Sequence, residues 1–230
     1  MVALPWEPVL AMPRGLYQFS AEAFATPDPA AWCHDEAVRL LGPKAHRKDL
    51  QRLSACLAGH LDIFRPHMPL LAAALFFSPG FKKLPAGVIV RAEVFNVARL
   101  NEGRQFTRAD AAAAAADVRA APPGAGEQRF GQVEAVDRDL PAGPALRVHR
   151  YVMPEGQHQG TAASETIVWT IWPPGPPFAV VLTSLWMQPY YGQVAAEIAD
   201  RMAQEFRVRT IDSGPGPETA GQENTEGESR

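Results

Sequence analysis

Two apolar runs, Thr166 to Trp172 and Ala179 to Trp186, are separated by a short bridge built on Pro173-Pro174-Gly175-Pro176-Pro177. Parallel pairing of two strands needs a crossover of a dozen or more residues, so these runs can pair only antiparallel, across a stiff turn. This hairpin commits the chain to a sheet with an antiparallel centre. Every other segment must attach to it.

Upstream, Asp28 followed by Pro29 marks a helix start, and Gly42-Pro43 marks its end. From Ala45 to Phe64, Leu50, Leu53, Leu57, Leu61 and Phe64 recur at three- and four-residue intervals, one stripe of an amphipathic helix. Strands are expected at Leu70 to Phe77 and Val88 to Leu100, with turns at Pro79-Gly80 and Pro85-Ala86-Gly87. In the second strand Val88, Val90, Ala92, Val94 and Ala98 alternate with Arg91, Glu93 and Arg99. Thr107 and Asp110 open a third helix over the alanine run to Ala120. Further strands are expected at Gln132 to Asp137 and Leu146 to Met153, with a polar loop from Pro154 to Ala163. A final helix runs from about Pro189 to Phe206, its apolar stripe being Tyr191, Val194, Ile198, Met202 and Phe206. Before Asp28, the stretch with Trp6, Leu10, Leu16, Tyr17, Phe19 and Phe24 is too apolar for a free tail and should lie along the domain.

Strands in consecutive groups, joined by short turns, point to an α+β fold. The expectation is a mainly antiparallel sheet of about five to seven strands with about four helices packed on it, in one domain over residues 1–212. From Ser213 onward Gly, Pro, Glu, Ser, Thr and Gln dominate, which predicts a disordered tail over 213–230.

Charge is distributed unevenly. The net charge is -3, and the tail with Glu218, Glu223, Glu226 and Glu228 against Arg230 carries all of it. The remaining body is near neutral and has no long-range field to gather a polyanion, so neither nucleic acid nor a membrane surface is an expected partner. No signal peptide is legible in Met1 to Pro13, and the longest apolar stretch, Met68 to Phe77, is too short to span a bilayer. Cys33 and Cys56 are the only cysteines in a chain of 230 residues, which fits a reducing, cytoplasmic setting.

Three constellations bear on function. Cys56 and His60, four apart on one helix, with Cys33-His34 on the preceding one, have the ligand types of a zinc site. The spacing also suits plain packing at the edge of the leucine stripe, and no metal is assigned. A second group, Arg91, Glu93, Arg99, Arg147, His149, Tyr151, Thr166 and Thr170, is expected to line up on an outer sheet face, with the residue mix of either a binding surface or a solvated sheet. The third is the aromatic corner of Trp186, Tyr190 and Tyr191, which suits core packing as well as a ligand cage. Two P-x-x-P registers, from Pro173 and Pro174, read first as a stiff turn. Clustered carboxylates, a nucleophile elbow, a phosphate loop and a zinc-binding His-x-x-x-His are all missing from the sequence. Folding could still bring Ser164-Glu165 to His149, as in most chains. No catalytic residue and no cofactor are assigned.

Leu4-Pro5-Trp6, the helix closing on Leu40-Leu41-Gly42-Pro43, the Leu140-Pro141-Ala142-Gly143-Pro144 approach to a strand, and the proline-joined pair Ile167 to Trp172 and Ala179 to Ser184 resemble an uncharacterised actinobacterial protein family over most of Met1 to Arg209. More distantly, a sheet with a late hairpin closed by a C-terminal helix is similar to the superfamily of the photosystem II extrinsic subunit PsbP. That resemblance implies a binding or assembly accessory rather than an enzyme, and it transfers no residue. The absence of a legible leader departs from the secreted and lumenal members.

The reading is therefore a non-enzymatic protein-binding or accessory domain with an unidentified protein partner. Its candidate residues are Arg91, Glu93, Arg147, His149, Tyr151 and Trp186, on the open sheet face or at the aromatic corner. The alternative is a small-molecule enzyme or binding protein with a pocket between sheet and helices, near His149 or Glu93.

Overall fold

A computed structural model describes residues 6–10, 16–65, 71–76, 87–96, 104–122, 127–154, 164–176, 178–186 and 192–210. In chain order the elements are β1 (Trp6–Val9), β2 (Leu16–Gln18), α1 (Ala21–Ala25), α2 (Pro29–Leu41), α3 (Arg47–Phe64), β3 (Leu71–Phe76) and β4 (Gly87–Asn96). They continue with α4 (Arg108–Ala120), β5 (Glu127–Leu140), β6 (Gly143–Pro154), β7 (Ser164–Ile171), β8 (Phe178–Trp186), α5 (Gly192–Glu205) and β9 (Arg207–Thr210).

The proline-bridged hairpin forms as expected, β7 against β8, with Trp169 opposite Leu182 and Ile171 opposite Val180. It lies near the centre of a seven-stranded sheet ordered β2-β3-β4-β8-β7-β6-β5, in which every pairing is antiparallel. β1 and β9 form a separate antiparallel pair. The α+β class and the strand number agree with the sequence reading, and the fifth helix is the single short turn α1.

Helix boundaries follow local chemistry. The Asp28 carboxylate accepts the Ala31 N–H at 3.0 Å with Pro29 behind it, and Gly42 closes α2 at φ +87°. At α4 the Thr107 hydroxyl accepts from the Asp110 N–H while the Asp110 side chain accepts from the Thr107 N–H, a reciprocal capping box.

Residues on one face of the sheet include Val90, Ala92, Ile167, Trp169, Ile171, Val180, Leu182 and Trp186, and α5 covers them. The buried side of α5 is Ala195, Ala199, Met202 and Ala203, while Val194 is 44% exposed. Of the expected stripe, Met202 and Phe206 are buried and Ile198 packs partly buried against the core, while Val194 turns outward and Ala195, Ala199 and Ala203 lie against the layer formed by Trp169 and Trp186. Tyr190, Tyr191 and the first residues assigned to this helix lie outside the described residues. So do the turns at 77–86, Ala98 and Arg99, the loop at 155–163 and the tail at 213–230.

α4 covers part of the opposite face, where Ala111 and Ala115 pack with Ala135, Leu146, Trp172 and Ala179. Phe106 stacks on Trp172 with ring centroids 4.4 Å apart. α2 and α3 build a second core of their own from Cys33, Ala37, Leu53, Leu57, Leu61 and Phe64, joined by Phe19 and Ala23. Tyr17 of β2 ties this unit to the sheet by donating to the Glu36 carboxylate.

β5 is far longer than the expected Gln132–Asp137. It pairs with β6 from Glu127 to Leu140, interrupted by a bulge between Phe130 and Glu134 where Gly131 adopts φ +73°. The bulge places two extra residues in β5 between the Phe130–Tyr151 and Glu134–His149 pairs, so both ends of the strand keep the same face toward α5 while the ladder is broken midway. β9 escaped a period-two reading, since its four residues contain only one large apolar side chain, Val208.

At the β5–β6 turn Gly143 has φ +132°, and a Cβ there would run into the Trp172 carbonyl oxygen. Replacing Gly143 with Ala is expected to lower folding stability by about 1–3 kcal/mol, the usual cost of a strained backbone position. Denaturant unfolding measures it; an unchanged midpoint would show that the turn can relax.

Candidate functional site

The pleat decides which expected site residues can meet. On β6, Arg147, His149 and Tyr151 share a face, and the register sets them opposite Trp169, Ile167 and Glu165 of β7. Glu165 in turn lies opposite Trp186 of β8. All belong to the face covered by α5. Arg91, Glu93, Thr166 and Thr170 point the other way, because each falls one residue out of phase with that set across the paired strands. The expected single outer face is therefore two opposite faces. Arg91 and Glu93 form an ion pair at 3.0 Å on one of them, and Arg147, His149, Tyr151 and Trp186 converge on the other.

The centre of that convergence is Glu165, a carboxylate only 7% exposed. Its Oε1 accepts from His149 Nε2–H at 2.7 Å, and its Oε2 accepts from Trp186 Nε1–H at 2.8 Å. Tyr151, opposite Glu165 in the register, lies beside this carboxylate. Burial together with that carboxylate pushes the Tyr151 hydroxyl above the ordinary phenol value. Gly192, the first residue of α5, approaches so closely that a Cβ there would sit 2.9 Å from Glu165 Oε2. Three strands and one helix end meet on one carboxylate.

A second polar node lies along the same seam. Asp200 of α5 accepts from Trp169 Nε1–H at 3.0 Å and from Arg147 Nε–H at 2.9 Å. Glu134 of β5, largely exposed, stands 3.5 Å from both Arg147 and His149 Nδ1. The pair Ser164-Glu165 and His149 was visible in the sequence only as a possibility, and Ser164 falls on the opposite face. Glu134 and Asp200 carried no signal, because each is a lone acid on a solvated-looking segment.

Each oxygen of Glu165 accepts one donor from a neighbouring strand, so the carboxylate is fixed in orientation beneath the surface. What faces outward is the Tyr151 ring, 39% exposed, with the His149 ring centroid 5.4 Å from it. Trp186 is buried and serves as a support beneath that surface instead of a contact residue.

The cysteine and histidine constellation does not assemble. Cys33 is buried in the α2–α3 core, His34 is exposed, and His60 Nδ1–H donates to the Cys56 carbonyl at 2.7 Å. Among the described residues no group of three or more His, Cys, Asp or Glu could hold a metal ion. Burial raises the Cys33 thiol, pushes the Cys56 thiol up to about 11 and depresses the His60 imidazole. Thiols so raised are poor nucleophiles. In the proline bridge Pro173 is buried, which removes one P-x-x-P register from display.

Fold and site together define an α+β domain whose seven-stranded antiparallel sheet carries a buried carboxylate node under its last helix. No family model matches the chain, and no curated protein matches it. Among solved structures it is similar to LpqN, involved in cell envelope biogenesis of Mycobacterium tuberculosis, with a TM-score of 0.41 and 10% sequence identity. That likeness covers 89% of this chain and 84% of LpqN. At this level nothing of LpqN's role transfers. Among the described residues no helix is long and apolar enough to cross a membrane.

Replacing Glu165 with Ala strands the Trp186 and His149 donors and is expected to cost about 3 kcal/mol, with Gln milder because one acceptor oxygen remains. Equal melting of both variants and the parent chain would show that the node is not structural. His60 supplies a pH test. The unfolded chain takes up a proton there more readily than the folded one, so stability is full above the ordinary imidazole value of 6.5 and declines as pH falls below it. Thermal midpoints should drop between about pH 7 and about pH 5, and His60→Leu should flatten that slope.

Proposed function

We propose that this chain is a non-enzymatic, protein-binding accessory domain, and that its partner docks where Tyr151, His149 and Glu134 face outward from β6 and β5. The observation that carries this reading is the setting of Tyr151: it is 39% exposed although it stands opposite buried Glu165 and beside the His149 ring. A tyrosine packed along one side and open on the other loses little conformational entropy on contact, which is why the residue is over-represented at binding hot spots. Glu134 and Arg147 beside it supply a polar rim of both signs. The two cysteines, both thiols, are in keeping with the cytoplasm as the place of action.

The test is affinity purification from the native host with the full chain, Tyr151→Ala and Glu134→Arg, each first shown to keep the parent melting midpoint. A protein partner retained by the parent chain and weakened at least about tenfold by Tyr151→Ala is the expected result. Identical recovery by all three, or a co-purifying metabolite without a protein, overturns it.

A further inference from the structure

The start of α3 is built against the usual rules for a helix N-terminus. Lys44, His46, Arg47, Lys48 and Arg52 fall within nine residues, with Asp49 as the one acid among them. All five are exposed. Among the described residues none of them has a carboxylate within ion-pair distance, although ion pairs occur elsewhere on the surface. The helix has 18 residues, so its first turn carries the positive end of a long macrodipole, where Arg47 and Lys48 are unfavourable. His46 at the N-cap makes no side-chain capping bond, in contrast to Asp28 and Thr107 at α2 and α4. Local stability has been given up here, twice over.

Three of these side chains, His46, Lys48 and Arg52, line an open depression of about 590 Å³ together with Asp49, Gln51 and Ala55. The opposite side of the helix, Leu53, Leu57, Leu61 and Phe64, is fully packed in the α2–α3 core. The cations are therefore mounted on a rigid element and held apart from one another.

We propose that this outer face of α3 docks an acidic, extended segment of a partner protein, at a surface separate from the Tyr151 patch. Charge complementarity is the ground: the body as a whole is near neutral, so these unneutralised cations form a local field of short reach, suited to a neighbouring peptide. The lining argues against the two other anionic partners. It contains no large apolar side chain to enter a bilayer, and cations confined to the first turns of one helix on a near-neutral body span too little for the phosphate track of a duplex. Gln51 and Asp49 instead offer a donor and acceptors to a peptide backbone.

The experiment titrates the intact chain with a fluorescent glutamate-rich peptide. Phosphatidylserine-containing vesicles and duplex DNA are run in parallel, and carbodiimide cross-linking is applied to the chain alone. Binding of the peptide should weaken as salt rises, and Lys48→Glu with Arg52→Glu should raise its Kd at least about tenfold. The same double variant, and separately His46→Ser, should melt no lower than the parent, since each relieves an unfavourable charge or supplies a cap. Equal peptide binding by parent and double variant overturns the proposal, as does tighter binding of vesicles or DNA than of peptide. Cross-links from Lys44 or Lys48 to Glu218, Glu223, Glu226 or Glu228 would make the chain's own tail the occupant and likewise overturn it. Because Tyr151 is untouched, these outcomes leave the reading of that patch to its own test.

Discussion

A carboxylate removed from water has to be met by donors, and Glu165 is met by two. Trp186 on β8, His149 on β6 and Glu165 itself on β7 lock three neighbouring strands into one register, since a slip of one residue would turn every member to the other face. Gly192 extends the constraint to α5, whose first turn can seat on the sheet only because that residue has no side chain. An uncompensated charge at this depth would cost several kcal/mol. The node therefore specifies the arrangement as much as it stabilises it.

Around that node the two sheet faces are treated differently. The α5 face is apolar across β4, β8 and β7, with its polar groups gathered into two seams, Glu165 and Asp200, each reached by an indole N–H. Among the described residues, α4 covers the other face toward β5 and β6, and that face keeps Arg91, Glu93 and several threonines among half-buried aliphatic side chains. α2 and α3 stand as a second small core, linked to the sheet through Tyr17 and Glu36. Alanine serves the same purpose in both sheet-covering helices: Ala195, Ala199 and Ala203 in α5, like Ala111 and Ala115 in α4, bring a helix backbone close to a layer dominated by tryptophan.

Local signals read well wherever one short segment decides the outcome. Asp28-Pro29, Gly42 and the Thr107–Asp110 box are self-contained, and the leucine stripe of α3 points one way only. Signals that depend on phase across strands read poorly. Arg91 and Glu93 looked like companions of Arg147, His149 and Tyr151 because all sit at alternate positions of apolar strands, yet alternation within a strand says nothing about phase between strands. The break at Gly131 shortened the part of β5 that could be read and the brevity of β9 left no pattern, while in α5 the stripe held at Ile198, Met202 and Phe206 and missed only at Val194, where alanines take the buried side.

By itself the sequence determined the antiparallel hairpin, the capped helices, the α+β class and the concentration of acid in residues 213–230, since each follows from chain connectivity, propensity or composition within a few residues. Only the tertiary structure decided that Glu165, a single unremarkable glutamate, is the residue on which β6, β7, β8 and α5 converge, and that Trp186 lies beneath the candidate surface rather than on it. The physical reason is that a buried polar network is a property of register and depth. Both arise from pairing between strands distant in the chain, as with Ile89 of β4 opposite Leu185 of β8, which no local pattern records.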